Sequence, residues 1–140
     1  ARRAGFLAAM KEAGLEAPVV VAARAYGREE GRAAGETLLD RAKGVTGIVA
    51  ANDLLALGLI DAARARGLAC PTDLSIVGHN DMPMMDAISP ALTTVRIRHH
   101  AMGEEAASLL IRAMAGETEP RRIVLTPELI IRASTRAVTE

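Results

Sequence analysis

Two short polar turns, each following an apolar run, carry the side chains of this chain best suited to chemistry. Asn52-Asp53 follows Gly47-Ile48-Val49-Ala50-Ala51, and His79-Asn80-Asp81 follows Leu74-Ser75-Ile76-Val77-Gly78. In a parallel α/β sheet, ligands sit at the carboxyl ends of the strands, so both turns are expected to open onto one cleft. Two jobs are open to Asn52: its amide can cap a helix, or donate and accept at a hydroxyl or ring nitrogen of a ligand. Asp53 falls in the first helical turn, where negative charge is favoured by the dipole, and that role suffices for it. His79 and Asp81, one position apart, could be half of a catalytic pair or of a metal site, but they supply neither a nucleophile nor a full ligand shell. Ligand contact by Asn80 or Asp81 is the stronger reading.

Further side chains suit recognition. Arg2 and Arg3 precede the first helix, and an arginine fork can grip a diol, carboxylate or phosphate, although solvation of a chain end is the plain alternative. Tyr26 stands just past a β-branched run and is one of only two aromatic residues, with Phe6. A flat ring at a strand end suits stacking on a sugar or nucleobase. Ser75 and Ser134 have no base beside them, and Gly44-Val45-Thr46-Gly47 lacks the Lys-Ser/Thr pattern of a phosphate cradle. His99 and His100 sit near a helix start with a surface or capping role. No enzymatic activity, metal or cofactor is expected.

The elements that must position these residues follow from periodicity. Phe6, Leu7 and Met10 mark a helix over residues 2–13, closed by Gly14. Residues 18–23 form a β-branched run suited to a buried strand, and residues 29–43 a helix stopped by Gly44. A strand at 48–51 leads through Asn52 into a helix at 52–66 ending at Gly67, and Pro71 and Asp73 turn the chain into a strand at 74–78. Residues 82–86 read as a single helical turn and crossing loop before Pro90. A strand at 92–97, a helix at 102–114 and two extended pieces, 121–125 and 129–132, complete the chain. Such βα alternation predicts a three-layer αβα sandwich lobe with a mostly parallel sheet.

Composition narrows the function class. The chain has 140 residues, half of them hydrophobic, within the size of one domain. Lysine plus arginine equals aspartate plus glutamate, 17 of each, so no overall field draws these residues to nucleic acid or an anionic membrane. Cys70 stands alone, which removes a disulfide framework and a thiolate zinc site and suits a reducing cytoplasm. Every apolar stretch is interrupted by charge, so neither a transmembrane segment nor a signal peptide is expected. Apolar side chains outside the regular strands, Leu57 on the 52–66 helix and Met82, Met84, Met85 and Ile88 in the loop, point to a homodimer interface.

Four blocks taken together, Arg2-Arg3-Ala4-Gly5-Phe6, residues 50–58 around Asn52-Asp53, Pro71 through Asp81, and Pro90-Ala91-Leu92-Thr93-Thr94-Val95-Arg96, resemble the lactose-repressor and galactose-repressor family of bacterial transcription regulators. The likeness runs over essentially the whole chain. It implies a periplasmic-binding-protein-like fold, with residues 1–140 forming the carboxyl-terminal subdomain of the effector-binding region. An amino-terminal helix-turn-helix, a hinge helix and most of a first subdomain would lie outside this chain. The implied function is effector sensing and dimerisation in a repressor that reads operator DNA only through that absent domain. Arg2 would clamp the effector, a sugar, nucleoside or related metabolite; Tyr26 would stack on it, and Asn52 would reach the cleft. Leu57 and residues 82–88 would contribute to the dimer. Asn80 stands where the family usually has aspartate, which removes a charge and adds a donor. The alternative, a periplasmic-type solute-binding protein, shares the cleft but would act as an exported monomer.

Overall fold

The structure is a computed structural model and describes residues 2–137. Three parallel strands, β1 (Gly47–Val49), β2 (Ser75–Asn80) and β3 (Thr93–Arg96), pair in chain order, and β4 (Glu128–Ile130) runs antiparallel on the outer side of β3. Ile48 lies opposite Ile76, and Gly78 opposite Thr94, so one face of the sheet carries a continuous row of buried residues. The mostly parallel α/β class read from the sequence is the class observed.

That buried face is covered by α3 (Asp53–Ala65), which α2 (Arg28–Arg41) covers in turn. Leu55, Ala56, Leu59, Ile60, Ala62 and Ala63 of α3 join Ile48, Leu74, Ile76, Leu92 and Leu39 in one core. Removing each large aliphatic side chain from water contributes about 1.5–3 kcal/mol, and small residues let the two helices approach closely enough to do so. A Cβ on Gly58 would overlap the backbone of Arg28 and Arg32, and one on Gly31 would meet Leu55 O at 2.5 Å. Arg28 donates twice to Asp61, at 2.6 and 2.8 Å, and holds the two helices in register.

The segment following β4 locks the opposite end of the sheet. Ser134 Oγ donates to Ile76 O at 2.6 Å and accepts from Thr93 N at 2.8 Å, while Ile76 N donates to Ser134 O. A hydroxyl between two parallel strands satisfies backbone groups that a buried sheet would otherwise orphan.

Other segments depart from expectation in pairing, start or burial. Residues 18–23 form no strand; Val19 and Val20 are 41% and 39% exposed, and β1 pairs with β2 alone. β-Branched residues favour a pleated, half-buried surface, and no neighbouring strand supplies one there. α1 (Arg2–Glu12) has the expected closure, with Gly14 at φ 69° and Leu15 N on Met10 O, yet buries no residue. α4 (His99–Met114) starts earlier than the periodicity suggested and also buries none; Met102, Leu110, Ile111 and Met114 stay exposed. Of residues 121–132, only β4 is paired.

Candidate functional site

The carboxyl ends of β1 and β2 and the starts of α1, α2 and α3 meet at one mouth, joined by hydrogen bonds between distant parts of the chain. Asn52 leaves β1 in an extended conformation and caps α3, its Oδ1 accepting from Leu55 N at 2.8 Å. Its Nδ2 donates to Tyr26 O at 3.0 Å, which holds the turn before α2 against the start of α3. Arg2 Nη1 donates to Ala51 O at 2.7 Å, laying an exposed guanidinium over the end of β1. Capping is therefore an observed role of Asn52, and Arg2 is tied to the mouth rather than left as a loose chain end.

Tyr26 is 68% exposed, so its ring serves no core. Half-buried Asn80 closes β2 with φ 118°, and Asp81 follows at φ 56°. Two successive non-glycine residues at positive φ are costly, and such conformations concentrate at functional sites. The strain breaks strand alternation: Asn80 Oδ1 lies 3.0 Å from His79 Nδ1, while the Asp81 side chain, 7% exposed, turns back against the sheet. His79 and Asp81 thus do not pair, and the described residues contain no group of three or more potential metal ligands.

Asp81 is held from two sides. Arg96 Nε donates to Oδ2 at 2.7 Å, and Arg132 Nη1 forms an ion pair with Oδ1 at 2.7 Å, off the line of a hydrogen bond. Burial pushes the Asp81 carboxyl up, and the two guanidiniums more than offset this, holding it below the ordinary carboxylate range. Arg96 ends β3 and Arg132 follows β4, so Asp81 fastens the chain on both sides of the excursion through α4.

Asp53 has a larger part than a first-turn charge needs. Fully buried, it accepts from Met82 N at 2.7 Å and from Thr94 Oγ1 at 2.6 Å, tying α3 to the loop after β2 and to β3. A side chain on Gly78 would strike its Oδ1, which accounts for glycine before the His79 turn. The sequence signal for Asp53 was only its place after an N-cap, which a dipole explains equally well.

Arg2, Tyr26, Asn52 and Asn80 thus all lie at the strand-end mouth. The apolar residues assigned to an interface fare unevenly. Met84 is 68% exposed, and Leu57, Met82 and Ile88 are half-buried beside the core. Met85 is 5% exposed and belongs to the core itself; Leu92 N donates to its carbonyl and draws the loop inward. A side chain so enclosed cannot reach a partner, and its expected place on the surface is corrected. A separate apolar groove of about 440 Å³ lies between α4 and residues 121–127, lined by Ile97, Met102, Leu109, Ile123 and Leu125.

Comparison with known proteins agrees with this architecture. Residues 1–135 match the family described as periplasmic binding protein-like domain. The chain is 42% identical over 111 residues to the HTH-type transcriptional regulator MalR of Streptomyces coelicolor, covering 79% of this chain and 32% of that protein. The solved complex of the transcriptional regulator CelR with cellobiose superimposes with a TM-score of 0.87 at 36% identity, over 93% of this chain and 40% of that one. A regulatory protein of the LacI family from Chloroflexus aggregans gives 0.83 at 38% identity, over 94% and 48%. The chain spans less than half the length of each. Its fold, its mouth at the strand ends and these likenesses converge: the chain belongs to the periplasmic binding protein-like domain family, in the lactose-repressor and galactose-repressor group of transcriptional regulators.

Proposed function

We propose that this chain is the effector-sensing and dimerisation portion of a bacterial DNA-binding repressor. One observation carries the reading: Arg2, the Tyr26 turn and Asn52, from three separate segments, are hydrogen-bonded together at the end of β1, beside the strained Asn80 turn that ends β2. Arg2 binds the effector, Asn52 and Asn80 offer amides, and Tyr26 provides a face for stacking. The mouth is one wall of a cleft, and a small-molecule site buries most of its ligand, so a preceding subdomain supplies the opposing wall. The same subdomain gives the exposed apolar side of α4 a partner. The relatives' helix-turn-helix names support control of operator DNA through a domain outside these residues. The cellobiose in the CelR complex supports a sugar or related metabolite as effector. No catalytic role is proposed, and a DNA-reading protein places the site in the cytoplasm.

Effector binding shifts the population between two arrangements of a homodimer that have different affinities for the operator. Leu57, Met82, Met84 and Ile88 supply apolar surface to that dimer, with Met85 supporting the loop from inside. The test is Arg2→Ala in the full-length protein: release from operator DNA by the effector is expected to need at least tenfold more ligand, with operator affinity in its absence unchanged. Loss of operator binding without effector would overturn the assignment of Arg2.

A further inference from the structure

Asn80 holds the least expected backbone conformation at the mouth. Its φ of 118° crowds a Cβ and is ordinarily glycine's, and Asp81 follows at φ 56°. A residue in such a region stays there only where its surroundings over-determine it. Three contacts of the turn itself are local or long. The Asn80 side chain faces its own neighbour, with Oδ1 3.0 Å from His79 Nδ1, and its carbonyl accepts from Ile97 N at 3.5 Å, the weak end of the range. Asp81 N reaches Thr94 Oγ1 at 3.4 Å.

The short contacts lie just beyond Asn80. Arg96 Nε donates to Asp81 Oδ2 at 2.7 Å, Arg132 Nη1 stands 2.7 Å from Oδ1, and Met82 N donates to Asp53 Oδ2 at 2.7 Å. The Asp81 and Arg132 side chains are 7% and 16% exposed, so water screens their attraction little. Arg132 is itself fixed at the start of β3, through Nη1 on Leu92 O at 2.8 Å and its backbone N on Thr93 Oγ1 at 2.9 Å. The Asp81 carboxylate is therefore pinned against the sheet, and Asn80, the last residue of β2, absorbs the change of direction. Asp81 Oδ1 has no aligned hydrogen bond, which makes Arg132 its partner by charge.

We infer that Asp81 and Arg132 are positioning residues of the mouth: their ion pair holds Asn80 at positive φ and thereby sets where its amide is presented. A residue from beyond β4 so aims a side chain at the end of β2. What that aim does for an effector rests on reading the mouth as the effector site. The hold on the backbone does not, and its test needs no ligand.

The test compares glycine with alanine at position 80 in the full-length protein. Both substitutions remove the amide, and they differ only in the Cβ that a positive φ crowds. With Asp81 and Arg132 in place, Asn80→Gly is expected to unfold at a higher urea concentration than Asn80→Ala. With Asp81→Asn or Arg132→Met added, the turn is free to relax to negative φ, and the order is expected to reverse, because alanine loses less chain entropy there. Arg132→Lys keeps the charge and is expected to keep the original order. A background too unstable to fold leaves the other to decide. Glycine above alanine by the same margin in every background overturns the inference and assigns the turn to Asp53 and Thr94. Alanine above glycine with Asp81 and Arg132 intact overturns it too, as does a reversal in Arg132→Lys as full as that in Arg132→Met. Operator release stays separate: an Arg2→Ala result that removes the effector site leaves the order of midpoints standing, whereas a failed reversal leaves the effector site untouched.

Discussion

Asp81 holds more of the strand-end architecture than Asn80 beside it. Its carboxylate meets Arg96 from the end of β3 and Arg132 from beyond β4, and Arg132 also donates to Leu92 O at 2.8 Å. Because the folded carboxyl titrates below its ordinary value, it contributes stability above its unfolded pKa of about 4, which is lost as the pH falls through the lower folded value. Asp81→Asn is expected to cost about 2–3 kcal/mol at neutral pH, less than for a fully enclosed pair because Arg96 is partly in solvent. Urea unfolding along a pH series checks this: the difference between the two proteins should shrink below about pH 4, and a constant difference would detach stability from the ion pairs. Neither arginine is a sequence neighbour of Asp81, so the residue was legible as a strand-end carboxylate but not as a fastening point.

Among the elements, the α2–α3 pair is the one built by close approach. Gly58 on α3 faces the Arg28 carbonyl and the Arg32 amide of α2 with no room for a methyl group, and Gly31 sits equally tightly against Leu55. Gly58→Ala must push the helices apart along the layer that covers the sheet, and overpacking of this kind costs roughly 1–3 kcal/mol. Thermal unfolding of Gly58→Ala should therefore show a clearly lowered midpoint, whereas Gly5→Ala on α1, where nothing lies within 4 Å of the added Cβ, should not. Equal midpoints for the two variants would place the close contact outside the stable core. Periodicity located both helices within a few residues, through Gly44, Asn52 and Gly67, because capping and closure are written in adjacent residues. It could not show that one helix lies on the other.

For the whole molecule, burial is concentrated on one side. α3 and α2 enclose one face of the sheet, while α1 and α4 bury nothing and residues 18–23 lie unpaired. The proposed dimer belongs to this scale. Leu57→Arg and Met84→Arg in the full-length protein should each weaken self-association at least tenfold in sedimentation equilibrium, because a charge desolvated at an apolar contact is costly. Met84, exposed and outside the buried core, guards against misreading a folding defect in the Leu57 variant, and unchanged sedimentation of both would remove this surface from the interface. The sequence by itself located α2, α3 and the apolar runs of the three parallel strands, and put Asn52 just after β1 and Asn80 at the end of β2, since periodicity, caps and apolar runs are local properties. The tertiary structure alone decided which polar atoms are already spent. Asp53 finds its partners 29 and 41 positions away, Met85 passes from an expected surface into the core, and the β-branched run at 18–23 finds no strand to pair with. Local residue patterns set what a segment can form, but burial and hydrogen-bond saturation depend on neighbours that only folding brings together.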